Sequence, residues 1–459
     1  MLQLWNTLHK KLEEFVPLQP GKVGFYACGP TVYNPLQLGN WRKYIVDDTF
    51  HRSFLFLGYE VTHVTNITDV GHLVGDTSDG EDKVEREAAK TGKTAWDIAR
   101  LYEASFVEGL KHLNVLPPTV MPRATEHIAE QIALVEELER KGFTYTISDG
   151  VYFDTVKFAN YGVLSGQTLD EKEAGARVEV NQEKRQPSDF ALWKFSPADQ
   201  KRQMEWSSPW GVGFPGWHIE CSAMAAKYLG QPFDLHSGGI DHIPVHHENE
   251  IAQSEAAYDK PLANYWVHNE FLLVDGGRMG KSMGNAYTLE DLAPKGFEAM
   301  DFRYFCLGAH YRSKLNFTWE ALEGARNALQ KLKRRFLEWE STSAQPEQRI
   351  LDEVKAALEN DFAMPTVLAW VWDVVGHEEM SSATKRATLL AVDEVLGLGM
   401  KEWKREEEVV PAQILELQRQ RDEARANKDW QASDRLRDEI RVHGWVIEDG
   451  AQGSVVRKA

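Results

Sequence analysis

The pattern of apolar and polar positions near the start of the chain predicts a strand–helix–strand unit. Residues Val23 to Cys28 form a short apolar run closed by Gly29-Pro30, as expected for a buried strand. Apolar residues then recur at three- and four-residue steps, the spacing of one helix face, and Gly58 marks the predicted helix end. These apolar positions are Val46, Phe50, Phe54 and Leu57. From Val61 to Ile67 the pattern alternates, which predicts a second strand parallel to the first.

Further along, the pattern changes several times and predicts more than one domain. Three prolines at 117, 118 and 122 precede a helical pattern with apolar residues at Ile128, Ile132, Val135 and Leu138, so an inserted region is expected here. The α/β pattern then returns. Phe233 to His236 is predicted as a strand, Ser237-Gly238-Gly239 as a loop, and the residues from His246 as a helix. Beyond Asn316 the chain is mostly helical, and the charged junction before Pro411 predicts a small last domain.

Composition and charge narrow the class of protein. Of the 459 residues, 42% are hydrophobic and 27% are charged, which is typical of a globular chain of several domains. The net charge of −18 excludes a histone-like coat of nucleic acid, so any nucleic-acid partner must be held by local basic patches. With only three cysteines, a disulfide framework is not expected. We find no signal peptide and no apolar run long enough to cross a membrane, so we predict a cytoplasmic protein without a membrane partner.

Cysteine, histidine and glutamate residues suggest a metal site built from distant segments. His246 and Glu250 are four apart on a predicted helix and therefore share a face. Cys221 lies upstream, and Cys28 ends the first strand. Two thiolates, an imidazole and a carboxylate can form a tetrahedral zinc shell. The alternative is that both cysteines are ordinary buried residues and His246 is a surface histidine, and the spacing alone does not decide between them. A metalloprotease motif is excluded, because Ile251 stands where the second histidine would be needed.

Several stretches taken together resemble the class I cysteinyl-tRNA synthetases, over nearly the whole chain and in that family's order. The stretches that carry the resemblance are Cys28-Gly29-Pro30-Thr31-Val32-Tyr33, Asn66-Ile67-Thr68-Asp69, Pro215 to Met224, His246 to Ser254, Gly284-Asn285, Arg425 to Glu439 and Glu448-Asp449-Gly450. The resemblance implies an α/β fold. It would consist of a Rossmann-type nucleotide-binding domain of the class I synthetases with an inserted domain, then a helical bundle and a small C-terminal tRNA-binding domain.

The resemblance also implies a division of the chain. The expected parts are a catalytic domain in two halves (1–115 and 205–260), an inserted connective domain (116–204), a stem-contact region (261–312), a helical tRNA-binding bundle (313–405) and a C-terminal anticodon-binding domain (406–459).

For the metal, the resemblance implies one Zn²⁺ per chain, held by Cys28, Cys221, His246 and Glu250. An apolar pocket separates near-isosteres such as cysteine and serine by only ~1–3 kcal/mol. Zinc prefers a thiolate, so a bond from the substrate's sulfur to the metal would supply the missing discrimination. Cys28, Thr68 and Trp217 are the implied cysteine-binding residues, and the alternative for Trp217 is an ordinary core aromatic residue.

For ATP, taken with Mg²⁺, the resemblance aligns the family's HIGH motif with Gln37-Leu38-Gly39-Asn40 and its KMSKS loop with Arg278-Met279-Gly280-Lys281-Ser282. The implied catalytic residues are Gln37, Asn40 and Lys281. The implied ATP-binding residues are Thr31, Gly39, Asn40, Gly238, Gly239, Asp241 and Lys281. Gln37, Arg278 and Gly280 depart from the family's pattern, which we expect to affect the rate rather than the fold.

For tRNA, residues 311–340 carry seven Lys/Arg against four Glu, which favours a backbone-contacting face, with a solvated helix face as the alternative. Arg425, Asp434 and Asp449 are candidate anticodon contacts. The implied function is ATP-dependent activation of L-cysteine and its transfer to the 2′-OH of tRNA(Cys) by a monomeric ligase. Two alternatives remain: a ligase that joins cysteine to a small amine such as an amino-sugar, and a zinc-holding RNA-binding paralogue with little or no catalysis.

Overall fold

A computed structural model describes residues 1–71, 83–167, 182–197, 201–280, 283–405, 410–450 and 453–458. The chain divides into two compact units, Met1–Lys401 and Glu402–Ala459. No helix within these described ranges is long and apolar enough to cross a membrane.

The described strands are short and the helices are of ordinary length. The strands are β1 (Gln3–Asn6), β2 (Lys11–Glu14), β3 (Lys22–Ala27), β4 (Glu60–Thr65), β5 (Thr144–Ile147), β6 (Gly150–Phe153), β7 (Phe190–Phe195), β8 (Trp206–Ser208), β9 (Gly211–Pro215), β10 (Phe233–Gly239), β11 (Ala263–Asn269), β12 (Leu272–Val274), β13 (Gly277–Arg278), β14 (Leu315–Phe317), β15 (Trp445–Gly450) and β16 (Gly453–Lys458). The α-helices are α1 (Leu38–Phe56), α2 (Lys83–Thr91), α3 (Ala95–His112), α4 (Ile128–Arg140), α5 (Trp217–Leu229), α6 (His246–Tyr258), α7 (Ala299–Leu307), α8 (Trp319–Glu338), α9 (Gln348–Glu359), α10 (Met364–Gly376), α11 (Ser382–Leu396), α12 (Ala412–Ala426) and α13 (Trp430–Val442).

A four-stranded parallel sheet forms the centre of the larger unit, in the order β11-β10-β3-β4. The predicted strand–helix–strand unit is confirmed as β3, α1 and β4. Gly58 ends the helix with a φ of +90°, a backbone conformation that favours glycine. Both faces of β3 are apolar, because helices cover a parallel sheet on both sides.

Strand β10 differs from the prediction. We expected a loop at Ser237-Gly238-Gly239, but the strand continues through these residues, which pair in parallel with Val267, His268 and Asn269 of β11. Glycines usually interrupt a strand, but here the pairing with β11 continues through them. Glycine is required at 238 because a Cβ there would lie 2.4 Å from the Cε1 atom of the His247 imidazole.

The inserted region forms a second sheet of five antiparallel strands, in the order β5-β6-β7-β9-β8. This sheet continues past residue 204 to Pro215, the last residue of β9. Helix α4 covers it with apolar residues that include Leu134, Val135 and Leu138, and Gly142 follows the helix with a positive φ.

Helices α9, α10 and α11 pack on one another beyond the parallel sheet, around Val354, Val367, Val371 and Leu389. The smaller unit contains α12, α13 and the hairpin β15–β16. Its own apolar core includes Ile414, Leu436, Ile440, Trp445 and Val456.

Candidate metal centre and active site

The site begins where β3 ends, and buried polar contacts fix that position. The backbone N–H of Cys28 donates to the carbonyl oxygen of Ser237 on β10 (3.3 Å). Lys43 on α1 donates to the Cys28 carbonyl oxygen and forms an ion pair with Asp47 (2.8 Å). Asp47 also accepts a hydrogen bond from the Ser237 hydroxyl (2.6 Å). These contacts hold the ends of β3 and β10 against α1, so the Cys28 thiol has a defined position.

Helices α5 and α6 bring the other three predicted metal ligands to Cys28. One donor atom each from Cys28, Cys221, His246 and Glu250 lies within 4.8 Å of the others, and all four side chains are buried. Among the described residues, neither carboxylate oxygen of Glu250 accepts a hydrogen bond, although Oε2 lies 3.2 Å from His236 Nε2 and 3.8 Å from the Nε2 atoms of His246 and His247. A buried carboxylate among sulfur and imidazole donors is costly unless a cation balances it, so this donor set fits a zinc ion. The alternative in which His246 is a surface histidine is wrong, since His246 is only 3% exposed.

Histidines that we did not single out complete the cluster. The Nδ1 atoms of His246 and His218 share a hydrogen bond (3.0 Å). His247 Nδ1 is likewise bonded to His268 Nε2 (2.7 Å), and His247 Nε2 lies 3.4 Å from the Cys28 sulfur. His236 comes from β10 and is completely buried. The adjacent histidines at 246 and 247 were a usable signal, whereas His236 was hidden in a predicted strand.

Electrostatics in the cluster favour one thiolate beside one thiol. Burial alone raises the pKa of Cys28, but the neighbouring Cys221 and the imidazoles of His247 and His246 outweigh burial and hold that pKa well below its usual range. The pKa of Cys221 is raised well above its usual value, first by its contact with Cys28 and then by burial. Burial lowers the pKa of His246, but Glu250 and Cys28 outweigh it and raise the pKa to about 9.

Trp217 and Thr68 lie beside this cluster in different ways. Trp217 begins α5, is 40% exposed, and places its ring centroid 4.6 Å from that of His246, so it is not an ordinary core residue. Thr68 is buried. Its hydroxyl donates to Glu220 Oε2 (2.9 Å) and accepts from the amide of Asn66 (3.0 Å). Asn66 in turn lies 3.6 Å from the Cys221 sulfur, so Thr68 is linked to the cluster through its neighbour.

The N-terminus of α1 carries the HIGH-like residues. Gln37 is the N-cap residue, and its backbone N–H donates to the side-chain oxygen of Asn40 (3.1 Å). Gly39 faces the KMSKS-like segment, where a Cβ would lie 3.8 Å from the Met279 sulfur. The amide of Asn285 holds the described part of this segment, bonding Gly280 N–H (2.9 Å) and the Arg278 carbonyl oxygen (3.1 Å). The predicted catalytic Lys281 lies outside the described residues, as does Ser282.

The other predicted ATP-binding residues are on two neighbouring segments. The backbones of Thr31 and Thr68 form an isolated parallel β-bridge, which joins the segments that follow β3 and β4. Gly238 lies close to His247, and its lack of a side chain leaves room for that imidazole in the histidine cluster. Gly239 ends β10, and Asp241 is exposed in the single turn Ile240–His242 that follows.

In the smaller unit, two of the three candidate anticodon contacts are paired with each other. Asp449 accepts from Arg425 (2.7 Å) and from both terminal nitrogens of the buried Arg421 (2.8 and 3.1 Å). Asp434 forms an exposed ion pair with Arg437 (3.2 Å). Trp430, which we did not predict, is 59% exposed on the same unit.

Two family models match the chain. Residues 14–327 match the model described as the class I (C) tRNA synthetase catalytic domain. Residues 408–457 match the model described as the cysteinyl-tRNA ligase anticodon-binding domain.

Curated relatives match over almost the full length. The chain is 48% identical to "Cysteine--tRNA ligase 1" of Burkholderia lata over 453 residues, which is 98% of this chain and 96% of the relative. It is 40% identical to the cysteine--tRNA ligase of Treponema denticola, covering 100% of this chain and 99% of the relative.

Solved structures with a similar fold include class I synthetases for other amino acids. The leucyl enzyme of Agrobacterium radiobacter in a ternary complex has a TM-score of 0.61 at 13% identity, over 84% of this chain and 85% of the other. The methionyl enzyme of Mycobacterium tuberculosis has a TM-score of 0.55 at 16% identity, over 82% and 90%. At such low identity they support the predicted fold class and nothing finer. On the family models and the relatives together, this chain belongs to the cysteine--tRNA ligases, a family of class I aminoacyl-tRNA synthetases.

Proposed function

We propose that this protein activates L-cysteine with ATP to cysteinyl-adenylate and transfers the cysteine to the 2′-OH of tRNA(Cys). The observation that carries the proposal is the buried convergence of Cys28, Cys221, His246 and Glu250, with the half-exposed Trp217 against it. A cluster of this composition is suited to recognise a thiol. The match of the C-terminal residues to an anticodon-binding model favours tRNA over a small amine as the acceptor.

Selection of the amino acid would depend on the buried cluster and its rim. A zinc ion held by the four ligands would supply a preference for the substrate's thiolate over the hydroxyl of serine. Trp217 would form an apolar wall that excludes water from the amino-acid side chain. Thr68 would help to shape the pocket, because the hydrogen bonds from Asn66 and to Glu220 fix its hydroxyl.

Activation of ATP would take place at the N-terminus of α1. The positive end of a helix dipole attracts phosphate, and Gln37 and Asn40 flank the N-terminus of α1. Gly39 would allow the phosphates to approach the backbone. Lys281 would neutralise the charge on the departing pyrophosphate, together with the Mg²⁺ that accompanies ATP. Gly238, Gly239 and Asp241 would bind the nucleoside, with Asp241 directed to the ribose hydroxyls.

Recognition of tRNA would use local features, because the molecule as a whole is acidic. The exposed basic side chains of α8 would contact the tRNA backbone. Among the anticodon candidates, Asp434 is the most exposed, at 64% of its side chain against 46% for Asp449 and 38% for Arg425. The exposed Trp430 offers a surface on which an unstacked base can pack.

A cytoplasmic location and a monomeric state remain predictions. The partners proposed here, tRNA and ATP, are available in the cytoplasm. Size-exclusion chromatography with light scattering measures the oligomeric state directly, and we expect the mass of one 52.2 kDa chain.

The proposed function is tested by charging total tRNA with labelled cysteine. We expect an acid-precipitable product that is sensitive to mild base, as an aminoacyl ester should be. Charging with labelled serine serves as the control and should give none. Cysteine-dependent consumption of ATP without any charging would favour the small-amine alternative, and the absence of both activities would favour the RNA-binding alternative.

A further inference from the structure

The buried cluster contains a second set of possible metal ligands. One donor atom each from Cys28, His236, His247 and Glu250 lies within 4.8 Å of the others. All four side chains are buried. Cys28 and Glu250 belong to both sets, whereas His236 and His247 replace Cys221 and His246. The four-ligand site proposed above leaves this second set without a role.

His236 is the most informative member of this second set. It is 0% exposed, and among the described residues its ring nitrogens have no polar partner other than Glu250. Its Nε2 atom lies 3.2 Å from Glu250 Oε2. The pair therefore presents an imidazole nitrogen and a carboxylate oxygen to one point inside the cluster, an arrangement that suits a metal ion. The ring stacks on Trp266, with centroids 4.4 Å apart, which fixes its orientation.

His247 is held in the way that metal-binding histidines are usually held. Its Nδ1 atom is hydrogen-bonded to His268 Nε2 (2.7 Å), and His268 Nδ1 is bonded to the Thr7 hydroxyl (2.8 Å). Such a chain fixes the ring and leaves the opposite nitrogen available. That nitrogen, Nε2, lies 3.4 Å from the Cys28 sulfur. Gly238 leaves space for it, because a Cβ at that residue would lie 2.7 Å from His247 Nε2.

We propose that the cluster offers a divalent transition-metal ion a second position, held by Cys28, Glu250, His236 and His247. The proposal rests on the metal centre of the proposed function. Because two ligands are shared, the positions are alternatives, and the ion moves between them by exchanging Cys221 and His246 for the two histidines. Zinc prefers the set with two thiolates, so the second position is the minor one in the intact protein. It becomes the major one when Cys221 or His246 is removed.

Cobalt(II) bound to the full-length protein tests this, because each thiolate ligand contributes a charge-transfer absorption band. We expect the unaltered protein to bind about one ion with the absorption of two thiolates. Cys221→Ser and His246→Asn should each still bind about one ion, with about half of that absorption. His236→Asn alone should leave the two-thiolate spectrum unchanged. Since Cys221→Ser and His246→Asn reach the same state by different routes, either variant can report if the other fails to fold.

The decisive comparison uses double variants. With Cys221→Ser already present, adding His236→Asn should weaken cobalt affinity by more than ~10-fold, while adding His246→Asn should change it little. His63→Asn is the matched control, because it removes a buried histidine that belongs to neither set. If the added His246→Asn removes the ion and His236→Asn does not, the ion has stayed in the first position and the proposal is wrong. Loss of the ion from both single variants would also overturn it. An unaltered protein that binds no ion would instead overturn the metal centre itself.

Discussion

Gln37 departs from the family's pattern at a position where we predict an effect on the reaction rate and not on the fold. The family's HIGH motif has a histidine at this position, which can donate a hydrogen bond and carry a positive charge. Glutamine can donate from its amide but carries no charge, and it has one more rotatable bond to fix. Here Gln37 is the N-cap of α1 and forms an isolated β-bridge with Thr288, six residues beyond the KMSKS-like segment.

We therefore expect Gln37→His to raise the rate of cysteinyl-adenylate formation by ~10-fold, which corresponds to about 1.4 kcal/mol of barrier. Gln37→Ala should lower the rate, because it removes the donor. Affinity for cysteine should not change, since the residue lies at the proposed ATP-binding end of the site. Rapid-quench measurement of adenylate formation decides this. Equal rates for Gln, His and Ala at position 37 would show that the residue does not touch the reacting phosphate.

Asp69 gives a prediction about the pH dependence of stability. Burial raises the pKa of Asp69 from 3.8 to about 6, although hydrogen bonds from Thr125 oppose the shift. Between these two values the folded chain binds more protons at this residue than the unfolded chain does. The contribution of Asp69 to the free energy of unfolding is therefore fully present below about pH 4. As pH rises to about 6 this contribution is lost, and the free energy of unfolding falls by at most about 3 kcal/mol.

The variant Asp69→Asn cannot titrate and keeps a similar shape. The free energy of unfolding of the variant, relative to that of the unaltered protein, should increase as pH rises from about 4 to about 6.5. Urea unfolding at several pH values measures this difference, and the titration of all other groups cancels in it. A difference that does not depend on pH would contradict the shifted pKa.

Among individual site residues, those with a local signal were predictable and the others were not. His246 and Glu250 are spaced four apart on one helix, which put both on the same face before the structure was known. The roles of His236 and His268 depend on β10 and β11 lying side by side, and no local pattern in the sequence reports that pairing.

At the scale of elements, helix α1 joins parts of the larger unit through one buried carboxylate. Asp48 accepts from Arg52 one turn later (2.8 Å) and from Arg303 of α7 (2.5 Å). Arg303 also donates to the carbonyl oxygens of Leu113, beyond α3, and Leu396, at the end of α11. The helix that carries Gln37 and Asn40 is thereby tied to three other helices.

Removing Arg303 should therefore be costly. Arg303→Met leaves part of the charge of Asp48 and two carbonyl oxygens buried without their partner, and we expect a loss of about 3–5 kcal/mol in the free energy of unfolding. The matched control is Arg335→Met, because Arg335 forms an exposed ion pair with Glu338 and should cost at most about 1 kcal/mol. Equal losses in urea unfolding would show that the buried network does not stabilise the fold.

The elements themselves were predictable where their period was regular. Strands β3 and β4 and helices α1 and α4 follow from the hydrophobic pattern alone. The end of β10 was not predictable, because Ser237-Gly238-Gly239 has the composition of a loop. Its strand conformation depends on pairing with β11 and on the close approach of His247, both of which are tertiary contacts.

At the scale of the whole molecule, the two compact units suggest a division of labour. The predicted catalytic and metal-binding residues all belong to the first unit, and the second has its own apolar core. We expect removal of residues 406–459 to leave cysteine-dependent pyrophosphate exchange near its full rate and to lower tRNA charging strongly, because the truncation removes Arg425, Asp434 and Asp449. If a folded truncated protein lost both activities together, this assignment would be wrong.

The central claim is that the buried cluster recognises the substrate by its sulfur, and ATP–pyrophosphate exchange tests it most directly. The measurement compares cysteine with serine, in protein loaded with zinc and in the same protein after the metal has been removed by a chelator. We predict exchange with cysteine and almost none with serine in the loaded protein, loss of the cysteine-dependent exchange on removal of zinc, and its return when zinc is added back. A metal-free protein that still activates cysteine and still rejects serine would contradict the account.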